Sequence, residues 1–286
     1  MNPIFIAFLV FAVIAGVLGL LLAFASRVFA VKTDERVEKI AELLPGANCG
    51  GCGYTGCAAL AQAIVDGKAP IDACNSVSDE SVAKIGEIMG TAATGERKRY
   101  RAQVMCSGTH ELAVKKYVYA GIEDCVAANK LAGGDKLCPN GCIGLGTCKA
   151  HCKFDAIHII NGVAAVDYDK CRACGACVAA CPKGLIKLIP YDARHWVGCR
   201  STDKGAVTKS YCDAGCMGCK ICEKKCPAGA IKVTDFVAEI DYDKCTGCDT
   251  CVSVCPRKII WSDTSQEKEG LTIEKPAVHD EPKPEE

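Results

Sequence analysis

Cys171, Cys174, Cys177 and Cys181 follow a C-x2-C-x2-C-x3-C-Pro spacing. The same spacing recurs at Cys216, Cys219, Cys222 and Cys226, and again at Cys245, Cys248, Cys251 and Cys255. Thiolates are soft ligands that suit zinc, copper(I) and iron–sulfur clusters. Structural zinc usually takes two separated C-x2-C pairs. Three thiolates packed into one tight loop, with a fourth just before proline, fit the bacterial ferredoxin run instead. That run holds [4Fe–4S] cubes, and its fourth cysteine ligates the other cube of a pair. A disulfide framework is excluded: 24 cysteines in 286 residues is a density found in short secreted scaffolds, and bridging needs partners held apart.

The central region is an internal repeat. A shift of 74 residues, without a gap, superposes Cys125, Cys138, Cys142, Cys148, Cys152, Cys171, Cys174, Cys177 and Cys181 on Cys199, Cys212, Cys216, Cys222, Cys226, Cys245, Cys248, Cys251 and Cys255. The pentapeptide Asp-Tyr-Asp-Lys-Cys ends at both Cys171 and Cys245. Crossed ligation groups Cys216, Cys219 and Cys222 with Cys255, and Cys245, Cys248 and Cys251 with Cys226. In the first repeat, Cys171, Cys174 and Cys177 go with Cys152. The other set, Cys142, Cys148 and Cys181, meets Leu145 where the second repeat has Cys219. Cys138, on a Pro139-Asn140-Gly141 turn, is the nearest thiol to complete it. A three-iron cluster is the alternative.

A different module precedes the repeat. Leu44-Pro45-Gly46-Ala47-Asn48-Cys49-Gly50-Gly51-Cys52-Gly53-Tyr54-Thr55-Gly56-Cys57 places three thiols on a glycine-rich loop, and Cys74 adds a fourth. Glycine lets backbone approach a bulky cluster. A further [4Fe–4S] cluster is expected, with zinc the alternative on spacing alone. Cys106, Cys125, Cys199 and Cys212 are then left. Four is the number a sixth cluster needs; buried or free thiols are the other reading. Cys138 can trade places with one of these four. The chain is thus expected to carry five or six [4Fe–4S] clusters.

These loops need elements to position them. The expected class is α+β: one N-terminal transmembrane helix, a small helical 4Fe–4S module, and two tandem two-cluster ferredoxin-like domains. The expected boundaries are 1–27 for the anchor, 33–90 for the small module, 103–190 and 196–261 for the two ferredoxin-like domains, and 263–286 for a disordered tail. Residues 1–26 carry no charge. Residues 3–26 would cross a ~30 Å bilayer core at ~1.5 Å per residue. Arg27, Lys32 and Arg36 then put the bulk of the chain on the cytoplasmic side. Residues 33–44 read as an amphipathic helix with Val37, Ile40, Leu43 and Leu44 on one face, stopped by Pro45-Gly46. Residues 91–101 read as a polar linker, and the tail is polar and acidic. With 34 basic and 34 acidic residues, nothing points to nucleic acid. No G-x-G-x-x-G or Walker loop marks a nucleotide site, and no catalytic residues stand out. The chain reads as a carrier of electrons.

The order of these parts resembles the RnfB family, the iron–sulfur subunits of Rnf complexes, which are membrane ferredoxin:NAD oxidoreductases. The likeness covers essentially residues 1–261. It implies that Cys49, Cys52, Cys57, Cys74 and the ferredoxin-run cysteines are ligands. Two ferredoxin units are similar to the longer forms found in anaerobes. The resemblance further implies an electron-transfer subunit at the cell membrane. Such a subunit takes electrons from soluble ferredoxin and passes them, with other subunits of the complex, toward NAD. The transfer is coupled to Na+ or H+ translocation. The same architecture suits a homologous complex that reduces an iron–sulfur regulator, or a stand-alone membrane polyferredoxin.

Overall fold

A computed structural model describes residues 3–28, 34–91 and 98–262. The expected tail at 263–286 and most of the expected linker, 92–97, lie outside the described residues. After helix α1 (Pro3–Val28), three helices build the first packed part: α2 (Glu35–Leu43), α3 (Cys57–Val65) and α4 (Asp79–Met89). Asp34 caps α2 by accepting from the Arg36 N–H. Ser78 caps α4, and Gly90 ends it in the left-handed region. Ile40, Leu60, Ile64 and Ile85 are fully buried between them, each worth about 1.5–3 kcal/mol of hydrophobic burial.

The first ferredoxin-like unit follows. It runs β1 (Tyr100–Val104), α5 (Cys125–Lys130), α6 (Thr147–Ala150), β2 (Ile157–Ile160), β3 (Val163–Val166), α7 (Ala176–Ala180) and β4 (Ile186–Pro190). The second runs β5 (His195–Val197), α8 (Gly205–Tyr211), α9 (Ile221–Lys225), β6 (Ile231–Thr234), β7 (Val237–Ile240), α10 (Thr250–Val254) and β8 (Ile260–Ser262). Each unit has an antiparallel hairpin, β2–β3 or β6–β7, and a second antiparallel pair, β1–β4 or β5–β8. The second pair brings a distant segment back over the cluster loops. Val104 pairs with Ile186, and Val197 pairs with Ile260. Ile186 and Ile260 are equivalent under the 74-residue shift, so β1 and β5 occupy equivalent places.

The cores are small and partly made of cysteine. Cys148 and Cys177 lie in the first with Ile157, Val163 and Ile186. Cys216, Cys222 and Cys251 lie in the second with Ile231, Ile259 and Ile260. Between the units, Trp196 and Trp261 pack with Met105 and Ile189. The Arg101 guanidinium is buried 3.6 Å from the Tyr168 ring centroid and donates to the Ala193 carbonyl (2.6 Å).

One expectation is corrected. The N-terminal run is helical as α1. Yet among the described residues no helix is long and apolar enough to cross a membrane. The transmembrane helix is therefore not part of the observed fold.

Candidate metal centres

Each cysteine run is shaped by the residues that flank its middle position. In the first unit Ala173 (φ 51°) and Gly175 (φ 79°) flank Cys174. In the second, Gly218 (62°) and Lys220 (59°) flank Cys219, while Gly247 (70°) and Asp249 (58°) flank Cys248. Two left-handed residues around one ordinary residue curl the loop tightly, and nests of this kind turn successive N–H groups inward. A short helix starts directly after each: α7, α9 and α10. The fourth run keeps this backbone. Gly144 and Gly146, both at φ 81°, flank Leu145, and α6 follows. Only the thiol is missing.

Thiols assemble around cavities. Cys49, Cys52, Cys57 and Cys74 line one of ≈ 400 Å³ with Gly50, Gly51 and Gly56. Asn48 Oδ1 accepts the Cys57 N–H (2.8 Å) and fixes the start of α3. Burial raises the Cys74 thiol, opposed by a hydrogen bond from the Ser76 backbone. Cys216, Cys219, Cys222 and Cys255 line a second cavity of ≈ 360 Å³, together with Lys220 and Arg257. This is the crossed set expected from the spacing.

Burial and neighbouring thiols locate the other groups. Burial pushes Cys177 up to about 12, with Cys171, Cys174, Cys148 and Cys152 close enough to add to it. Cys171, Cys174, Cys152 and Cys148 therefore all lie near Cys177, and the crossed spacing is what selects Cys152. Burial likewise pushes Cys251 up to about 12 beside Cys245 and Cys248. Cys226 corresponds to Cys152 in the repeat. Its Sγ accepts the Ala230 N–H (3.3 Å), as Cys152 Sγ accepts that of Ala156 (3.4 Å).

Further thiols lie around the incomplete set. Burial pushes Cys148 up to about 11, and Cys125 and Cys181 are the thiols nearest in effect. Cys142 has Cys106 and Cys148 as its neighbours. Cys125 heads α5, where its N–H donates to Thr147 Oγ1 (2.6 Å), and it packs with Ile143 and Leu145. It stands beside Leu145, which holds the place of the missing thiol. Cys138 is elsewhere: with Cys106, Cys199 and Cys212 it lines a cavity of ≈ 350 Å³. The linear repeat matches Cys125 to Cys199. The strands match Cys106 to Cys199, because Met105 N–H donates to Leu185 O (2.8 Å) as Gly198 N–H donates to Ile259 O (2.7 Å).

The donor sets fit [4Fe–4S] clusters. They are all-thiol and line cavities, and soft thiolates are the ligands such clusters take. Arg257 Nε is buried at the second cavity without a hydrogen-bond partner.

The small module and the first unit touch at these sites. Cys174 lines the N-terminal cavity. Ser76 Oγ donates to Arg172 O (2.9 Å), and Lys153 Nζ donates to Ala47 O (3.1 Å) and Asn48 O (2.9 Å). None of these cross-contacts is visible in the spacing.

Comparison with known proteins agrees with the donor chemistry. Residues 44–76 match the family described as "Putative Fe-S cluster", residues 164–187 a 4Fe-4S binding domain and residues 215–260 a 4Fe-4S dicluster domain. The chain is 44% identical to a subunit of the Na(+)-translocating ferredoxin:NAD(+) oxidoreductase complex of Acetobacterium woodii, over 96% of this chain and 82% of the relative. It is 44% identical to a subunit of the ion-translocating oxidoreductase complex of Methanosarcina acetivorans, over 87% and 96%. It is 38% identical to a subunit of the proton-translocating ferredoxin:NAD(+) oxidoreductase complex of Clostridium ljungdahlii, over 90% and 91%. All three relatives are the same, RnfB-type, component of their complexes.

Proposed function

The chain belongs to the RnfB family of ion-translocating ferredoxin:NAD oxidoreductases, the Rnf complexes, and from that premise we propose how its residues serve the complex. It is an electron-transfer subunit: reduced ferredoxin is oxidised, electrons pass toward NAD, and the complex couples this to ion translocation. The complex lies in the cell membrane, with these thiol sites on the cytoplasmic side, and other subunits carry the nicotinamide site.

We assign five [4Fe–4S] clusters to five thiol sets. They are Cys49, Cys52, Cys57 and Cys74; Cys152, Cys171, Cys174 and Cys177; Cys125, Cys142, Cys148 and Cys181; Cys216, Cys219, Cys222 and Cys255; and Cys226, Cys245, Cys248 and Cys251. When bound, such clusters take up and release single electrons. The chain's own residues set the spacing, exclude water and aim N–H groups at sulfur, which tunes potential. The observation that carries this reading is Cys174, a thiol of the first ferredoxin-like unit that also lines the N-terminal cavity. Two sites that share a wall are what serial transfer needs.

The donor meets the second unit. Cys219 and Cys248 are exposed. Beside Cys219, exposed Ile221 and Phe236 are ringed by exposed Lys220, Lys224 and Lys225. An apolar centre with a cationic rim suits brief docking of an anionic carrier. The test is anaerobic assay of the complex with reduced ferredoxin and NAD. NADH formation is expected to be lost when this chain is removed and to return with it. Loss of reduction of an iron–sulfur regulator, with NAD reduction unchanged, would favour the homologous regulator-reducing complex instead.

A further inference from the structure

Four thiols fall outside the five sets, and the fold brings them together. Cys106, Cys138, Cys199 and Cys212 line one cavity of ≈ 350 Å³ between the two ferredoxin-like units. Cys138, Cys199 and Cys212 are buried, and Cys106 is half-buried. The matched family segments, 44–76, 164–187 and 215–260, cover none of them.

The set has an internal symmetry. Cys138 and Cys212 are equivalent under the 74-residue shift. Cys106 and Cys199 are equivalent through their strands, each following the residue whose N–H bonds to Leu185 O or Ile259 O. Each unit therefore contributes the same two positions to one site. This is the pattern of an isologous interface, in which the same patch on both partners meets at an approximate two-fold axis.

The walls suit a bulky anionic group. A Cβ on Gly108 would come within 3.4 Å of Cys212 Sγ and 3.7 Å of Cys106 Sγ. The Cys142 N–H donates to Cys106 Sγ, and the Ser201 N–H to Cys199 Sγ, both at 3.4 Å. Lys136, 3% exposed, lines the cavity, held by the carbonyls of Gly108 (2.6 Å) and Gly162 (2.9 Å). A cation this buried needs negative charge nearby.

We propose that Cys106, Cys138, Cys199 and Cys212 hold a further [4Fe–4S] cluster that joins the two ferredoxin-like units. Its neighbours make it the step between them. The Cys142 N–H of the first unit donates to Cys106 Sγ, and Cys199 packs in one buried cluster with Cys216 of the second. This goes beyond the five-site reading and assumes it.

The test is native mass spectrometry and iron analysis of the anaerobically reconstituted full chain. The site predicts six clusters and about twenty-four irons, at four per cube. Five clusters and about twenty irons would overturn it, whatever the activity of the complex. Cys199→Ser and Cys138→Ser should each lower the count by one cluster and remove one reduced-cluster EPR component. Should either variant fold poorly, alkylation of the wild-type chain decides. Protection of all four thiols until iron is stripped supports the site. Modification of any of them in the iron-replete folded chain counts against it. Loss of ferredoxin-dependent NAD reduction with six clusters present would instead put the assigned function at fault.

Discussion

Gly51 sits where the N-terminal module meets the first ferredoxin-like unit. A Cβ added there would lie 2.3 Å from the Cys174 carbonyl oxygen and 2.9 Å from both Cys174 C and Cα. These are backbone atoms in a loop curled by Ala173 and Gly175, so they cannot swing aside. Gly51→Ala must therefore separate the two loops by about 1 Å, an overpacking cost of about 1–3 kcal/mol. At 1.4 kcal/mol per tenfold, the docked contact should open roughly 5- to 140-fold more often. Hydrogen exchange of amides 49–53 and 171–176 reads this opening directly. Exchange should speed up by that factor while iron content is unchanged, and ferredoxin-dependent NAD reduction should fall with it. Unchanged protection in an iron-replete variant would refute both the docking geometry and the claim that electrons cross there.

Other consequences can be checked singly. Cys125→Ser should convert one [4Fe–4S] cluster to a three-iron form by EPR, and Leu145→Cys in the same chain should restore it, because Gly144 and Gly146 keep the backbone that presents Cys219 in the second unit. A three-iron form that Leu145→Cys fails to reverse would overturn that assignment. In the metal-free, reduced chain, burial holds Cys138, Cys148, Cys199, Cys212 and Cys222 up at about 11, from 9.0. Raised thiols stabilise the fold fully below about pH 9 and lose that contribution as pH climbs through about 11. The urea midpoint should thus fall between about pH 8 and pH 10.5, and equal midpoints would argue that these thiols are not buried. Lys224→Glu/Lys225→Glu should raise KM for ferredoxin about tenfold at low salt and flatten its salt dependence, with iron content intact. An unchanged KM would move the donor's contact elsewhere.

The parts legible in the sequence are those set by local spacing. The C-x2-C-x2-C loops and their helices follow from a dozen contiguous residues, and the hairpins repeat at 74. What the spacing does not reach depends on long-range return of the chain. Cys125 aligns with Cys199 in a gapless shift. β1 and β5, which pair with strands more than sixty residues later, show that Cys106 holds that place. Sequence proximity draws Cys138 to Leu145, yet the Pro139-Asn140-Gly141 turn carries it into the cavity between the units. By composition the charge-free run at 3–26 reads as a membrane span, and among the described residues no helix reaches that length and apolarity.

The central claim is that electrons from ferredoxin reach NAD by way of the N-terminal thiol site. The most direct measurement is ferredoxin-dependent NAD reduction by the complex carrying Cys52→Ala, with iron counted on the same sample. Cys52 is one of four thiols around that cavity, so iron should fall by about four per chain. The prediction is that activity is abolished with that loss. Undiminished NAD reduction after the iron is gone would contradict the account.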